Sequence, residues 1–231
     1  MATKRYTLDE YIAYLKSYID NVKFPEVHVH ATWKPTIADY RTKGAEYLVE
    51  AMRRTHKAKG WSDIAQHCTI CPDGYIWTGR SLLVAPASAT GYNDSDDDKT
   101  HPFMFEMIGN FDVGQERLEG EQLNTAVGLT RALVDLFGSK IVFHREINDT
   151  GKTCPGSGID KAEFIAKVNA YGKDDDDLTL TEYQWKTVQS TIQELLNKGT
   201  ITDKTWLEKA ESRSLSVSEL SWLNLVLLSR K

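Results

Sequence analysis

A run of four aspartates after Lys173 constrains the fold of this 231-residue chain most strongly, because the sequence pattern changes there. Like charges repel one another and stay hydrated, so the run at 173–177 (KDDDD) is typical of a solvated linker. Before the run, strand-like and helix-like segments alternate, whereas after it the segments have helical spacing. The sequence therefore predicts a large domain at residues 1–172, a linker at 173–178 and a small domain at 179–231.

The first of these domains carries the mixed pattern. Strand-like segments lie at 26–32, 103–108 and 141–144, and the turn Pro72-Asp73-Gly74 joins two more within 63–80. Helical patterns lie at 45–59, 123–137 and 160–171, and a capping box, Thr7-x-x-Glu10, starts another whose apolar face we predict at Tyr11, Leu15, Tyr18 and Ile19. Strands interleaved with helices predict an α/β fold with a mixed central sheet and helices packed on it.

The small domain is predicted to be all-helical. Thr181-x-x-Gln184, Asp203 and Ser216-x-x-Glu219 are three helix-start signals. Three amphipathic helices of this size can form a small bundle. Its tryptophans, Trp185, Trp206 and Trp222, either stack on sugars or fill the bundle core, and for Trp185 the helical spacing favours the core. Instead of binding sugars, the small domain can also form a homodimer through Leu223 and Leu227.

Composition excludes several classes of protein. A net charge of −5 argues against nucleic acid as a partner, since phosphate binding requires a basic surface. No apolar run approaches the ~20 residues that cross a bilayer, so we expect no membrane insertion. The first residues lack the pattern of a secretory signal peptide, so we expect synthesis in the cytoplasm. Three cysteines do not make a disulfide framework.

Candidate zinc ligands lie at two predicted strand ends and in one loop. His30 and His144 end predicted strands, and Cys154 follows ten residues after His144. Catalytic zinc takes three nitrogen, sulfur or oxygen ligands and keeps one position for water. Each of these residues taken singly is more often structural, because isolated histidines and cysteines usually pack or lie on the surface. The spacing alone therefore does not define a metal site.

An ordered set of motifs supplies the context that the spacing lacks. These motifs are His30-Ala31-Thr32-Trp33, Trp61-Ser62-Asp63-Ile64, Pro72-Asp73-Gly74, Thr78-Gly79-Arg80, Phe105-Glu106, Gly109-Asn110-Phe111-Asp112, His144-Arg145-Glu146 and Lys152-Thr153-Cys154-Pro155-Gly156. From about residue 27 to residue 168, the chain resembles the type-2 N-acetylmuramoyl-L-alanine amidase family. That family includes phage endolysins and shares its fold with peptidoglycan recognition proteins. The set as a whole is far more specific than any one motif.

The resemblance implies a zinc-dependent peptidoglycan hydrolase, with bacterial peptidoglycan as its partner. His30, His144 and Cys154 match the zinc ligands, and residues 1–172 match the catalytic domain. Activated water would cleave the amide between N-acetylmuramic acid and L-alanine, as in a phage or prophage endolysin that reaches the cell wall after release. Glu106 matches the acid/base carboxylate, and its apolar strand should raise its proton affinity. Lys152 matches the lysine that stabilises the oxyanion.

Several alternatives stay open from sequence. His28 shares a strand face with His30 and can replace it as a ligand, although the following x-Thr favours His30. Some relatives have a catalytic tyrosine where this chain has Gln66, which cannot titrate. A non-catalytic peptidoglycan-binding module of the same fold is the main rival function, and a zinc peptidase that cuts another amide is the second. The small domain is expected to bind the cell wall or to dimerise.

Overall fold

The computed structural model describes residues 3–89, 91–93, 96, 98–147, 151–172 and 178–229. The chain divides into two compact units, Met1–Tyr171 and Gly172–Lys231. The predicted linker lies outside the described residues except for Leu178. Among the described residues, no helix combines the length and apolar character that crossing a bilayer requires.

The first unit contains a six-stranded sheet and five α-helices within the described residues. The strands are β1 (Arg5–Tyr6), β2 (Glu26–Ala31), β3 (Cys68–Ile70), β4 (Ile76–Thr78), β5 (Phe103–Met107) and β6 (Lys140–Phe143). The helices are α1 (Leu8–Lys16), α2 (Ile37–Lys43), α3 (Ala45–Ala58), α4 (Gly120–Phe137) and α5 (Lys161–Ala170). A short 3-10 helix, His144–Glu146, follows β6 directly. The predicted α/β class, with a mixed sheet and packed helices, is confirmed.

The sheet has the strand order β1-β4-β3-β5-β2-β6. Four adjacent strands, β3, β5, β2 and β6, are parallel to one another. Strand β4 pairs antiparallel with β3, and the edge strand β1 pairs antiparallel with β4. Both faces of a parallel sheet are normally covered, which explains why β5 is almost entirely apolar. The carboxyl ends of the four parallel strands therefore gather at one edge of the sheet, where α/β proteins usually bind ligands.

The core of the first unit is one large apolar cluster between the sheet and its helices. It includes Tyr11 and Leu15 of α1, Phe103 and Phe105 of β5, and Leu129 and Leu133 of α4, all fully buried. Helix α4 is also tied to the sheet by Gln122, whose Nε2 donates to the carbonyls of Ile70 and Ile108 at 3.1 and 2.9 Å. The Gln122 amide therefore links the carboxyl end of β3 to the residue that follows β5.

The first helix shows where periodicity misleads. The predicted capping box is present, with Thr7 and Glu10 exchanging hydrogen bonds. The predicted apolar face is wrong in its last turn, because α1 ends at Lys16 and Ile19 lies in the following turn with 44% of its surface exposed. Helix α2 was not predicted, although Thr36 and Asp39 form a capping box at its start.

The second unit contains α6 (Glu182–Asn197), α7 (Thr205–Glu211) and α8 (Val217–Ser229). Its own apolar cluster is built on Trp185, Ile192, Ile201, Ala210, Leu215 and Leu223. Trp185 is buried, as its helical spacing indicates. The predicted dimer contact through Leu223 is wrong, because Leu223 packs inside the unit; the exposed leucines of α8 are Leu225 and Leu228.

Candidate metal centre and active-site cleft

Three polar residues lie at the carboxyl ends of neighbouring parallel strands. His30 is the penultimate residue of β2 and stands beside Glu106 of β5 in the strand register. His144 follows the last residue of β6, whose Phe143 pairs with Val29 of β2. Side chains on one face of adjacent strands lie close together. The fold thus brings His30 together with residues that lie 76 and 114 positions further along the sequence.

The structure places the three predicted zinc ligands in one cluster. The ligand atoms of His30, His144 and Cys154 all lie within 4.8 Å of one another. The two imidazole rings have centroids 4.3 Å apart. Around a tetrahedral zinc ion, bond lengths of about 2.0 Å to nitrogen and 2.3 Å to sulfur place two nitrogens and one sulfur about 3.3–3.5 Å apart. Two imidazoles and one thiol at these separations fit zinc with only a small contraction.

His28 has a different environment from His30. Its Nδ1 lies 2.7 Å from Ser88 Oγ, and its Nε2 lies 2.9 Å from Glu26 Oε2. Both ring nitrogens of His28 are therefore engaged, whereas the hydrogen bond of His30 is made by Nε2, which lies 2.8 Å from the same Ser88 hydroxyl. Since Nδ1 of His30 makes no hydrogen bond with any residue that the structure describes, these contacts favour His30 over His28 as the ligand.

Cys154 is held in its loop by the residue that follows His144. The Arg145 backbone N–H donates to the Cys154 carbonyl at 2.8 Å, and its guanidinium donates to the carbonyls of Gly156 and Ile159 at 2.8 and 2.9 Å. The Ala31 N–H donates to Cys154 Sγ at 3.5 Å. These bonds attach the loop to both β2 and the 3-10 helix, so the thiol stays beside the two histidines.

The protonation of the cluster follows from its burial. Burial lowers the pKa of His30 well below its ordinary value and lowers the pKa of His144 to about 4, so both imidazoles are neutral and can bind a metal at neutral pH. Burial likewise raises the pKa of the Cys154 thiol to about 12. A metal must therefore displace the thiol proton, as thiolate ligation generally requires.

Glu106 occupies an apolar strand and faces the cleft beside His30. Its neighbours along β5, Phe105 and Met107, are fully buried. Desolvation raises the pKa of the Glu106 carboxyl to about 7. A carboxyl group with this pKa can accept a proton and release it again near neutral pH, which is the property of a general acid/base.

The cluster opens into a cleft with a volume of about 540 Å³. His30, Glu106, His144 and Cys154 line it, together with Lys152. Its other lining residues include Trp33, His56, Trp61, Ser88, Asn110 and Asp112. Trp33 is 61% exposed, and Trp61 packs against His56 with ring centroids 4.8 Å apart and ring planes tilted by 37°. The cleft therefore combines titratable groups with exposed aromatic surface, as ligand sites commonly do.

Gln66 and Ser88 show the limits of sequence reasoning here. Gln66 is fully buried, donates to Thr69 Oγ1 at 2.9 Å, and is not among the described residues that line the cleft. Ser88 does line the cleft, but it lies in an alanine-rich loop, residues 85–89, without any motif that marks it. His56 forms part of the cleft wall and also accepts a hydrogen bond from the Ala65 N–H at 3.1 Å.

Comparisons with known proteins agree with this geometry, although no family model matches the chain. Peptidoglycan-recognition protein LB of Drosophila melanogaster is 29% identical over 139 residues, covering 58% of this chain and 56% of that protein. The endolysin of Enterobacteria phage T3 is 28% identical over 107 residues, covering 46% of this chain and 68% of that protein. The chain thus spans little more than half the length of the first of these relatives.

Solved structures give the same picture. The Drosophila PGRP-LB structure matches with a TM-score of 0.51 and 27% identity, covering 66% of this chain and 83% of that one. The endolysin N-acetylmuramoyl-L-alanine amidase LysCS of Clostridium intestinale has a TM-score of 0.52 and 24% identity, covering 64% and 86%, and supports the fold alone. The resemblance predicted from the motifs is confirmed: the chain is similar in sequence to Drosophila peptidoglycan-recognition protein LB and to a phage endolysin, and it has the fold of the PGRP-LB and LysCS structures.

Proposed function

We propose that this chain is a zinc-dependent N-acetylmuramoyl-L-alanine amidase, which hydrolyses the amide between N-acetylmuramic acid and L-alanine of the stem peptide. The observation that carries the proposal is the cluster of His30, His144 and Cys154, within 4.8 Å of one another at the strand ends. A receptor that only binds peptidoglycan has no need of three zinc ligands and a carboxyl group of raised pKa in one cleft.

His30, His144 and Cys154 would hold the ion. Zinc bound there supplies Lewis-acid chemistry, polarising a carbonyl and lowering the pKa of water. Glu106 takes the proton of the attacking water and returns it to the leaving amine of L-alanine, which its pKa of about 7 permits. Lys152, on the cleft wall, places its ammonium group near the developing oxyanion and stabilises it.

The proposed substrate is bacterial peptidoglycan, and the proposed setting is lysis by a phage or prophage endolysin. A mutant form of Drosophila PGRP-LB, 25% identical to this chain with a TM-score of 0.51, has been solved in complex with tracheal cytotoxin. The relatives also include a phage endolysin. Exposed Trp33 and half-exposed Trp61 give the cleft aromatic surface for the sugar or the peptide of a muropeptide.

For the second unit we propose attachment to the cell wall. Trp206 and Trp222 stack with their ring centroids 5.8 Å apart and their planes at 9°, and Trp222 remains 57% exposed. An exposed indole face is a suitable platform for a sugar ring. The alternative role for this unit is dimerisation through the exposed side chains of Leu225 and Leu228. In that case, removing the Trp222 ring would leave the affinity for the cell wall unchanged.

Metal analysis coupled to product identification tests the catalytic proposal. We expect about one zinc per chain, loss of activity on dialysis against a chelator, and recovery on adding zinc. Mass analysis of digested wall should show stem peptides with a free L-alanine amine and glycan that retains its lactyl groups. Binding of muropeptide without release of new amines would identify a receptor module, and cleavage at an internal peptide bond would identify a peptidase.

A further inference from the structure

Three residues outside the zinc cluster form a hydrogen-bonded chain that ends on His30. Glu26, His28 and His30 alternate along β2 and so lie on one face of the strand. Glu26 Oε2 lies 2.9 Å from His28 Nε2, and His28 Nδ1 lies 2.7 Å from Ser88 Oγ. The same hydroxyl lies 2.8 Å from His30 Nε2. Glu26, His28 and Ser88 are called the histidine relay below.

The direction of each hydrogen bond in the relay follows from what each group can donate. The Glu26 carboxylate only accepts, so His28 donates from Nε2. Neutral His28 then has a lone pair on Nδ1, which accepts the Ser88 hydroxyl proton. The Ser88 oxygen is left to accept, so His30 must donate from Nε2. His30 consequently carries its proton on Nε2 and presents the Nδ1 lone pair.

We propose that the histidine relay fixes His30 in this tautomer and thereby prepares it to bind zinc through Nδ1. The proposal rests on the zinc site of the proposed function. Groups that hydrogen-bond the second nitrogen of a ligating histidine orient the ring and raise its basicity, and their loss commonly weakens metal affinity by about 10- to 100-fold. Glu26, His28 and Ser88 are therefore positioning residues; they do not themselves hold the metal.

The residues on both sides of Ser88 are anchored by contacts of their own. The Ala87 N–H donates to the Ala65 carbonyl at 3.1 Å, and the Ala89 N–H donates to Asn93 Oδ1 at 2.7 Å. Ala89 also packs against Val142 and Ile147, on either side of His144 in the sequence. The backbone that carries the Ser88 hydroxyl is thus held on both flanks.

The tautomer of His30 in the metal-free protein tests the relay directly. Long-range proton–nitrogen NMR distinguishes protonated from bare ring nitrogens, and His30→Asn identifies the His30 signals. We expect Nε2 protonated and Nδ1 bare in the wild type, and a mixture of tautomers in Ser88→Ala. Ser139→Ala is the matched control, because Ser139 is also buried but donates to the Phe24 carbonyl instead. A wild type with its proton on Nδ1 overturns the proposal.

Zinc affinity, measured by competition with a coloured chelator, gives the second readout. We expect Ser88→Ala to bind zinc about 10- to 100-fold more weakly than the wild type, and Ser139→Ala to match the wild type. Equal affinities for the two variants would overturn the proposal. If Ser88→Ala does not fold, Glu26→Ala at the partly exposed end of the relay should still give mixed tautomers. If the wild-type protein binds no zinc, the proposed function is refuted. The tautomer of His30 in the metal-free protein still shows whether the histidine relay sets the position of its proton.

Discussion

Glu106 illustrates how a single residue acquires its chemistry from its place in the sheet. Its backbone neighbours are apolar, and its partner across the strand register is His30. Burial favours the neutral carboxylic acid, so the pKa rises to about 7. The same carboxyl group on an exposed strand would be a permanent anion and a poor proton donor near neutral pH.

Replacing Glu106 by Gln should abolish proton transfer while leaving the three proposed ligands in place. We expect wild-type zinc content and a loss of turnover of about 10²-fold or more, since general acid/base catalysis typically contributes 10²–10⁴-fold. Release of amines from purified wall measures the turnover. Glu163→Gln, a change at an exposed carboxylate of α5 that pairs with Lys167, is the control. Undiminished turnover in Glu106→Gln would remove Glu106 from the mechanism.

The raised pKa of Glu106 also predicts how the stability of the metal-free protein depends on pH. Between about 4.5 and about 7 the folded state keeps a proton on Glu106 that the unfolded state has lost. The free energy of unfolding should therefore fall with rising pH by up to about 1.4 kcal/mol per pH unit across this window, relative to Glu106→Gln. Urea unfolding of both proteins from pH 5 to 8 measures the difference. Parallel curves would show that Glu106 titrates normally.

Elements build the site by bringing strand ends and one loop together. Parallel pairing of β2 with β5 and β6 aligns three carboxyl ends, and the 3-10 helix starts where β6 stops. The cysteine is supplied by a loop, so its position depends on the bonds that attach the loop to these elements. Arg145 supplies two of these bonds from its side chain, to Gly156 and Ile159.

Replacing Arg145 by Met should weaken the attachment of the Cys154 loop. The two carbonyls lose charge-assisted donors, so we expect zinc affinity to fall about 10-fold or more and hydrogen exchange at 153–159 to accelerate. Arg131→Met removes an arginine whose partner is the exposed Asp135 of α4, and should change neither quantity. If both variants bind zinc like the wild type, the loop is held by other contacts.

At the scale of the whole molecule, each unit has an apolar cluster made from its own residues. Phe103, Phe105 and Leu129 belong to the cluster of the first unit, and Trp185 and Ile192 to that of the second. A unit with its own core can fold alone, although one of about 60 residues is expected to be only marginally stable. The two roles proposed for this chain, catalysis and attachment to the wall, can therefore be tested on separate units.

A chain that ends at Gly172 should therefore fold and bind zinc as the full chain does. Circular dichroism on heating and zinc stoichiometry measure these properties. If the second unit attaches the enzyme to the wall, the truncated chain should sediment less with purified wall while still cleaving small muropeptides. Loss of folding would contradict the division into two domains, and unchanged sedimentation would contradict the role of the second unit. Trp222→Ala in the full chain should reproduce the loss of wall binding.

The fold was predictable where local sequence pattern and burial coincide. The apolar alternation of β2, the apolar run of β5 and the turn between β3 and β4 reflect the period of a strand, which the sequence displays directly. Strand β1 has two residues and no period; it exists because Arg5 and Tyr6 pair with Trp77 and Ile76 of β4. Contacts between distant segments leave no local trace.

The sequence by itself determined the α/β class, the resemblance to the amidase family and the candidate residues His30, His144, Cys154, Glu106 and Lys152, because these depend on residue type, order and period. The tertiary structure alone decided that the ligand atoms meet within 4.8 Å and that His28 is engaged on both nitrogens. It alone placed the Ser88 hydroxyl 2.8 Å from Nε2 of His30, 58 residues away in the sequence. The physical reason is that a hydrogen bond depends on distance and direction in space, which the chain sets only by folding.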